Sequence, residues 1–256
     1  MRTLAVGCLA LVLLASLALG QTPAASEDPS RVFYFSHTDT PQSMQEILNI
    51  VRSMTDTPGK MDVEKKTMTL QGNSTQFALA EWVISEMDRA TPSGTLTTQS
   101  FRDQRGRVDV VRLFALSHAT TPLQMVELTN LIRSVADLQR VFPYNALHQL
   151  VVRGSAEQLA IAEWLIQQLD RPADTPAPDA GTRDIPYGFK STHTIKVFYL
   201  THGQSPQQTQ ALLNEIKTAT KIDHATAYNA RHALALRGTT EQLTAAAALL
   251  KELDAK

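Results

Sequence analysis

The chain is 256 residues long, carries a formal charge of −1, is 43% hydrophobic and holds a single cysteine, Cys8. Near-neutrality removes any general electrostatic reason to bind nucleic acid, and one cysteine excludes a disulfide framework. This length could form one large domain or several small ones; internal repetition decides for several.

Residues 1–20, MRTLAVGCLALVLLASLALG, place one positive charge before an apolar core that ends in the small residues Ala18 and Gly20. That order predicts a secretory signal peptide cleaved after Gly20 rather than a retained anchor, because the apolar stretch is short. Cys8 stands too close to the start to be a lipoprotein site, so the mature chain has no cysteine. No later segment is long and apolar enough to span a bilayer. The reading is an exported, periplasmic protein.

After a polar start, Val32–His37 reads as a strand from its aromatic and β-branched residues. Pro41 opens a helix whose apolar positions are Met44, Ile47, Leu48, Val51 and Met54. Thr57-Pro58-Gly59 ends it, and residues 60–72 form two short strands about a Lys-rich turn. Asn73 then caps a second helix, with Gln76 three residues on as in a capping box, and with Phe77, Ala80, Val83, Ile84 and Met87 on one stripe.

The same order returns twice. Residues 150–170, LVVRGSAEQLAIAEWLIQQLD, match MTLQGNSTQFALAEWVISEMD at 68–88 and LALRGTTEQLTAAAALLKELD at 234–254. Ser155 and Thr239 are the equivalent caps, Gln158 and Gln242 their partners. The second unit runs from strand Val110–Ser117 through a helix opened by Pro122, hairpin 139–153 and helix 155–169. The third runs from strand Ile195–Thr201 through a helix opened by Pro206, hairpin 221–237 and helix 239–253.

The fold class is therefore α+β: three tandem β-α-β-β-α modules, each a three-stranded sheet with both helices on one face. The opposite sheet face is left to solvent or to a neighbour. The division is a signal peptide at 1–20, repeats at 32–88, 108–170 and 192–254, a linker at 89–107 rich in Thr, Ser and Gly, and a Pro-rich linker at 171–191. Such linkers predict modules that reorient as beads unless a partner fixes them. Each module, at about sixty residues, is marginal alone, so neighbour contacts are expected to matter.

These residues carry a family resemblance. The β-α-β-β-α order, Leu-Val-Val-Arg-Gly at 150–154 and its repeat at 234–238, and Ile-Gln-Gln-Leu-Asp at 166–170 resemble the periplasmic N-domains of secretins. Those proteins are the ring-forming outer-membrane channels of type II secretion and type IV pili. The resemblance implies a KH-like, ring-building outline, and domain packing into rings or onto neighbours. Its implied partners are the protein itself or other envelope proteins, a secretin among them. Where such domains usually place Asn six residues before the Gly, this chain has Lys66, His148 and His232. With Lys256 so soon after the third repeat, the implied protein forms no pore by itself.

Candidate site residues follow from repeat positions. His37, His118 and His202 each stand four residues before a Pro, and each is read as a strand-end histidine hydrogen-bonding the turn. One per linked module is poor spacing for a shared metal, so no metal is expected. His148 and His232, three residues after Asn145 and Asn229, read as exposed polar hairpin turns. Asn49, Asn130 and Asn214 recur midway along the first helices, predicting an inter-element hydrogen bond or a partner contact. Trp82 and Trp164 are core-edge residues or aromatic interface anchors, with Ala248 in the third position. No nucleophile elbow, zinc motif or carboxylate pair is visible, so neither an enzyme nor a cofactor is expected. Gly-Ser-Ala-Glu and Gly-Thr-Thr-Glu lack the second glycine of a nucleic-acid-clamping KH loop. The alternative reading is a peptide or glycan held along an open sheet edge.

Overall fold

A computed structural model of the protein describes residues 29–91, 97–102, 106, 108–172, 182–187, 191–200 and 205–253. The signal peptide and His202 lie outside these residues. The first module consists of β1 (Ser30–Tyr34), α1 (Pro41–Thr55), β2 (Gly59–Asp62), β3 (Thr67–Gln71) and α2 (Ser74–Met87), with sheet order β1-β3-β2. In the second, β4 (Thr97–Arg102) and β5 (Val108–Ala115) precede α3 (Pro122–Val135), β6 (Arg140–Tyr144), β7 (Gln149–Gly154) and α4 (Ala156–Leu169). The third repeats this with β8 (Thr182–Tyr187), β9 (Ser191–Tyr199), α5 (Pro206–Thr220), β10 (His224–Tyr228), β11 (Ala233–Gly238) and α6 (Thr240–Leu253).

The α+β class and the repeated β-α-β-β-α unit are as the sequence predicts. Each helix start is fixed by side chains. Asn73, Ser155 and Thr239 accept from the backbone N–H of Gln76, Gln158 and Gln242, whose side chains accept from the cap N–H in return. The first helices have the same device: Thr121 with Gln124 and Ser205 with Gln208 form capping boxes, with proline opening α1, α3 and α5. The second-helix glutamines do more. Gln76, Gln158 and Gln242 donate onward to the carbonyls of Thr55, Asp137 and Thr220, tying each second helix to the end of the first.

Two expectations are corrected. The segments 89–107 and 171–191, expected to carry no regular structure, contain β4 and β8, which pair antiparallel with β5 and β9. The second and third sheets thus have four strands, in the orders β4-β5-β7-β6 and β8-β9-β11-β10. Each added strand lies at a sheet edge and is joined to its neighbour by a backbone ladder, which asks no apolar alternation of its sequence and tolerates a proline such as Pro186.

The second correction concerns the beads. One core unites the first module with Val111, Leu113, Tyr144, Leu147 and Val151 from the outer sheet face of the second. Another unites the second module with Ile195, Val197, Tyr228, Ala233 and Ala235 of the third. Hence β3 alternates between buried Met68 and Leu70 and half-exposed Thr67 and Thr69, whereas β7 and β11 are buried along their length. The modules stack head to tail, α1 on the second sheet and α3 on the third.

Candidate interaction site

The stacking contact is written by residues that recur at equal spacing. In α1, Ile47, Ile50 and Met54 are 0%, 2% and 0% exposed; in α3 their equivalents Leu128, Leu131 and Val135 are fully buried. Positions three and four apart share one helix face, so each helix carries this stripe besides the one that covers its own module. At the start of the stripe Glu46 accepts from the backbone N–H and side-chain Nδ2 of Asn145, at 3.3 and 3.1 Å. Glu127 accepts from the same two groups of Asn229, at 3.1 and 2.8 Å.

The far end of each helix offers unsatisfied carbonyls, and arginine from the next sheet meets them. Arg153 donates to Met54 O at 2.7 Å, and Arg237 to Val135 O at 2.9 Å. Arg140 donates to Ser53 O at 2.9 Å, while His224 donates through Nδ1 to Ser134 O at 2.9 Å. Asp56, in the left-handed conformation at φ 58°, pairs with both Arg140 and Arg153 at 2.7 Å. Arg153, its side chain only 3% exposed, also pairs with Asp109 at 3.0 Å. Burial opposes the charge on Asp56, yet the hydrogen bonds from Arg140 and Arg153 prevail and hold its carboxyl below the usual carboxylate range.

Tyr144 and Tyr228 fill equivalent places beneath these contacts, 2% and 1% exposed. Burial, reinforced by Glu46 and Asp88 in one junction and by Asp170 and Glu127 in the other, pushes both phenols up. An open cleft of ≈290 Å³ lies beside the second junction, bordered by His118, Arg171, Tyr228 and Arg231.

His37 and His118 bond not the turn but the main-chain carbonyl of the aspartate that ends the module, and it is that aspartate's carboxylate that accepts from the turn. Asp88 accepts from the backbone N–H of Ser36, His37 and Thr38 and from the Thr38 hydroxyl, at 2.6 to 2.9 Å. His37 Nδ1 donates to Asp88 O at 3.1 Å. Asp170 accepts in the same way from Ser117, His118 and Ala119, and His118 Nδ1 donates to Asp170 O at 3.2 Å. Burial works against the charge of Asp88, but the amide hydrogen bonds outweigh it and hold the carboxyl low. Among the described residues no group of three His, Cys, Asp or Glu side chains is placed to share a metal.

The helix asparagines do not bridge elements. Asn49 and Asn214 are exposed and accept from Gln45 and Gln210, one turn back on their own helices, at 3.1 and 3.0 Å. Asn130 is exposed. Trp82 and Trp164 are half-buried and pack on the first and second cores. Asn145 and Asn229 meet the preceding module, and of the histidines three residues on, expected in exposed turns, His148 is half-buried and His232 exposed. The turn residues His148 and His232 sit at φ 47° and 44°, and their carbonyls accept from Leu116 and Leu200. Sequence reasoning passed over Glu46, Glu127, Arg153 and Arg237; their recurrence at equal repeat positions in adjoining modules was the available signal.

These elements define an α+β protein of tandem modules joined helix on sheet, with conserved geometry at both junctions. No family model matches the chain, and no curated protein matches it significantly. Among solved structures it is similar to the N-terminal domain of the secretin XcpQ from Pseudomonas aeruginosa, at 16% identity and TM-score 0.29, over 88% of this chain and 100% of that one. Aeromonas hydrophila ExeD is matched at 17% identity and TM-score 0.21, over 89% of this chain and 41% of that one. The ETEC pilotin–secretin complex of AspS and GspD is matched at 16% identity and TM-score 0.21, over 89% and 38%. The chain thus spans about two-fifths of the ExeD and GspD chains.

Proposed function

We propose that the chain is an exported, non-enzymatic assembly module that works in a diderm envelope, in the periplasm, by packing its domains against protein partners. The observation that carries this is the docking contact itself, used twice with the same Glu–Asn and Arg–carbonyl pairs. Surfaces of this build hold one protein face against another. The resemblance of residues 145–170 and their repeats to secretin N-domains supports a place beside a secretion or pilus-type channel, with a secretin or a second copy as partner. Half-buried Trp82 and Trp164 are the aromatic positions on the helical flank that such a partner would meet. No helix among the described residues is long and apolar enough to cross a membrane.

Crosslinking in intact cells followed by mass spectrometry tests the reading. Envelope assembly proteins are expected among the products, and size-exclusion with light scattering should reproduce the complex. A chain that stays monomeric and crosslinks to nothing in the envelope would sink it.

A second reading, an extended peptide or glycan held at a sheet edge, is favoured by one observation. In modules two and three the edge of the first repeat strand is covered by β4 and β8, whereas β1 has no second neighbour among the described residues. Strand addition there would satisfy its free backbone groups. It predicts a rise in melting temperature with extended peptides or glycans, and no rise means no such site.

A further inference from the structure

We infer that the head-to-tail contact stops at both ends of the stack, so that a second copy of this chain cannot prolong it. The inference bears on the assembly reading by closing one of its routes. It rests on comparing α5 and the first sheet with the helices and sheets that do dock.

Four features make α1 and α3 docking helices: a glutamate (Glu46, Glu127), an apolar residue four positions on (Ile50, Leu131), another four beyond (Met54, Val135), and a left-handed aspartate at the end (Asp56, Asp137). In α5 these positions are Ala211, Glu215, Ala219 and Lys221, all exposed, with Lys221 in the same left-handed conformation at φ 58°. Backbone geometry is kept while the chemistry is exchanged. Seating α5 on a sheet would bury the Glu215 carboxylate where Leu131 now lies, which costs far more than an apolar contact returns.

The first sheet has changed to match. Aligning the hairpins on Gly72, Gly154 and Gly238 puts Gln71 where Arg153 and Arg237 stand and Thr69 where Val151 and Ala235 stand. Asp62 then replaces Tyr144 and Tyr228, and Val63 replaces Asn145 and Asn229. Asp62 is paired instead with Lys65 at 3.1 Å, on the open surface. No arginine is left to meet helix carbonyls, and no asparagine to meet a glutamate. Val32 and Tyr34 stay exposed on this sheet, but the side chains that grip a docked helix are gone from it, and a polar face such as that of α5 is how stacked repeats stop growing. Association of copies, where it occurs, must therefore use the flanks of the stack: its sheet edges or the α2, α4 and α6 side.

Analytical ultracentrifugation of the chain from residue 21 tests this with three variants. One rewrites α5 as a docking helix (A211E, E215L, A219V, K221D), one rewrites the first sheet as an acceptor (K60F, D62Y, V63N, T69V, Q71R), and one carries both sets. The double-ended variant is expected to form a concentration-dependent series of multimers, and neither single-ended variant should. Oligomers of the unsubstituted chain that persist with T69K or E215R support closed ends and place assembly on the flanks. Oligomers that either substitution disperses overturn the inference. A monomer that captures no envelope protein leaves the ends closed while removing the assembly reading.

The reverse graft guards against a rewritten chain that misfolds. Importing the α5 residues into α3 (E127A, L131E, V135A, D137K) is expected to separate modules two and three. The radius of gyration should rise in small-angle scattering while helix content is retained by circular dichroism. Modules that stay docked would show that these positions do not govern stacking.

Discussion

Asp56 shows how one carboxylate joins two modules. It ends α1 in a left-handed conformation, which Asp tolerates better than most residues, and its two oxygens meet Arg140 and Arg153 of the next sheet. Its folded carboxyl titrates below the unfolded value of about 3.9, so its contribution is complete above that pH and is lost as pH falls through the folded value. Being 44% exposed, the carboxylate is partly screened, so Asp56→Asn should cost about 1 kcal/mol at pH 7. Urea denaturation at pH 7 and pH 2 checks this: the gap between the two proteins should narrow at the lower pH. Asp88 acts inside its module by the same rule, with its carboxyl also held low by amide donors. Asp88→Ala strands the N–H groups of Ser36, His37 and Thr38 and should cost about 2 kcal/mol by thermal or urea unfolding at pH 7. A loss within error would mean that water replaces the carboxylate at no cost.

At the scale of elements the sequence was most legible where local rules suffice. Proline at the first turn, the cap-and-glutamine pairs and the apolar stripes located the six helices among the described residues, and short runs of apolar, aromatic and β-branched residues located the inner strands. The repeated glycine before each second helix now has a cause. A Cβ on Gly154 would lie 2.4 Å from Leu138 Cδ2 and 2.9 Å from Gln158 Oε1. Leu138 is buried in the core, and Gln158 is held by Ser155 and Asp137, so neither yields freely. On Gly238 the equivalent approaches are 3.0 Å to Gln242 and 3.2 Å to Ile222. Gly154→Ala should therefore destabilise by about 1–3 kcal/mol, and Gly238→Ala by less. Melting curves of the two variants give the order, and a reversed order would mean that Leu138 moves aside cheaply. What stayed hidden was β4 and β8, since a polar edge strand such as Thr97–Arg102 is selected by its pairing with Val108–Leu113, outside itself, and nothing in its own pattern announces it.

For the whole molecule, the stacking of modules was illegible for a related reason: Glu46 and Asn145, or Arg153 and Met54, lie 99 residues apart in sequence. Yet a trace was present. Thr-Met-Thr-Leu in β3 alternates, as a sheet with one wet face must, while Leu-Val-Val in β7 and Leu-Ala-Leu in β11 do not alternate with polar residues, as befits sheets covered on both faces. Continuity of the core across the junctions makes the modules depend on one another. Removing residues 21–91 would uncover Val111, Leu113 and Val151, now at most 2% exposed, together with Tyr144 and the side chain of Arg153. Each uncovered aliphatic side chain forfeits roughly 1.5–3 kcal/mol of burial, a large part of what a domain of this size has in reserve. The shortened chain should melt at lower temperature than the intact one, bind a hydrophobic dye and self-associate as concentration rises. The intact chain keeps these side chains covered and should bind less dye than the shortened one. If the shortened chain melts as the intact one does and remains monomeric without dye, the first module contributes nothing to the second, and the shared core has no energetic meaning.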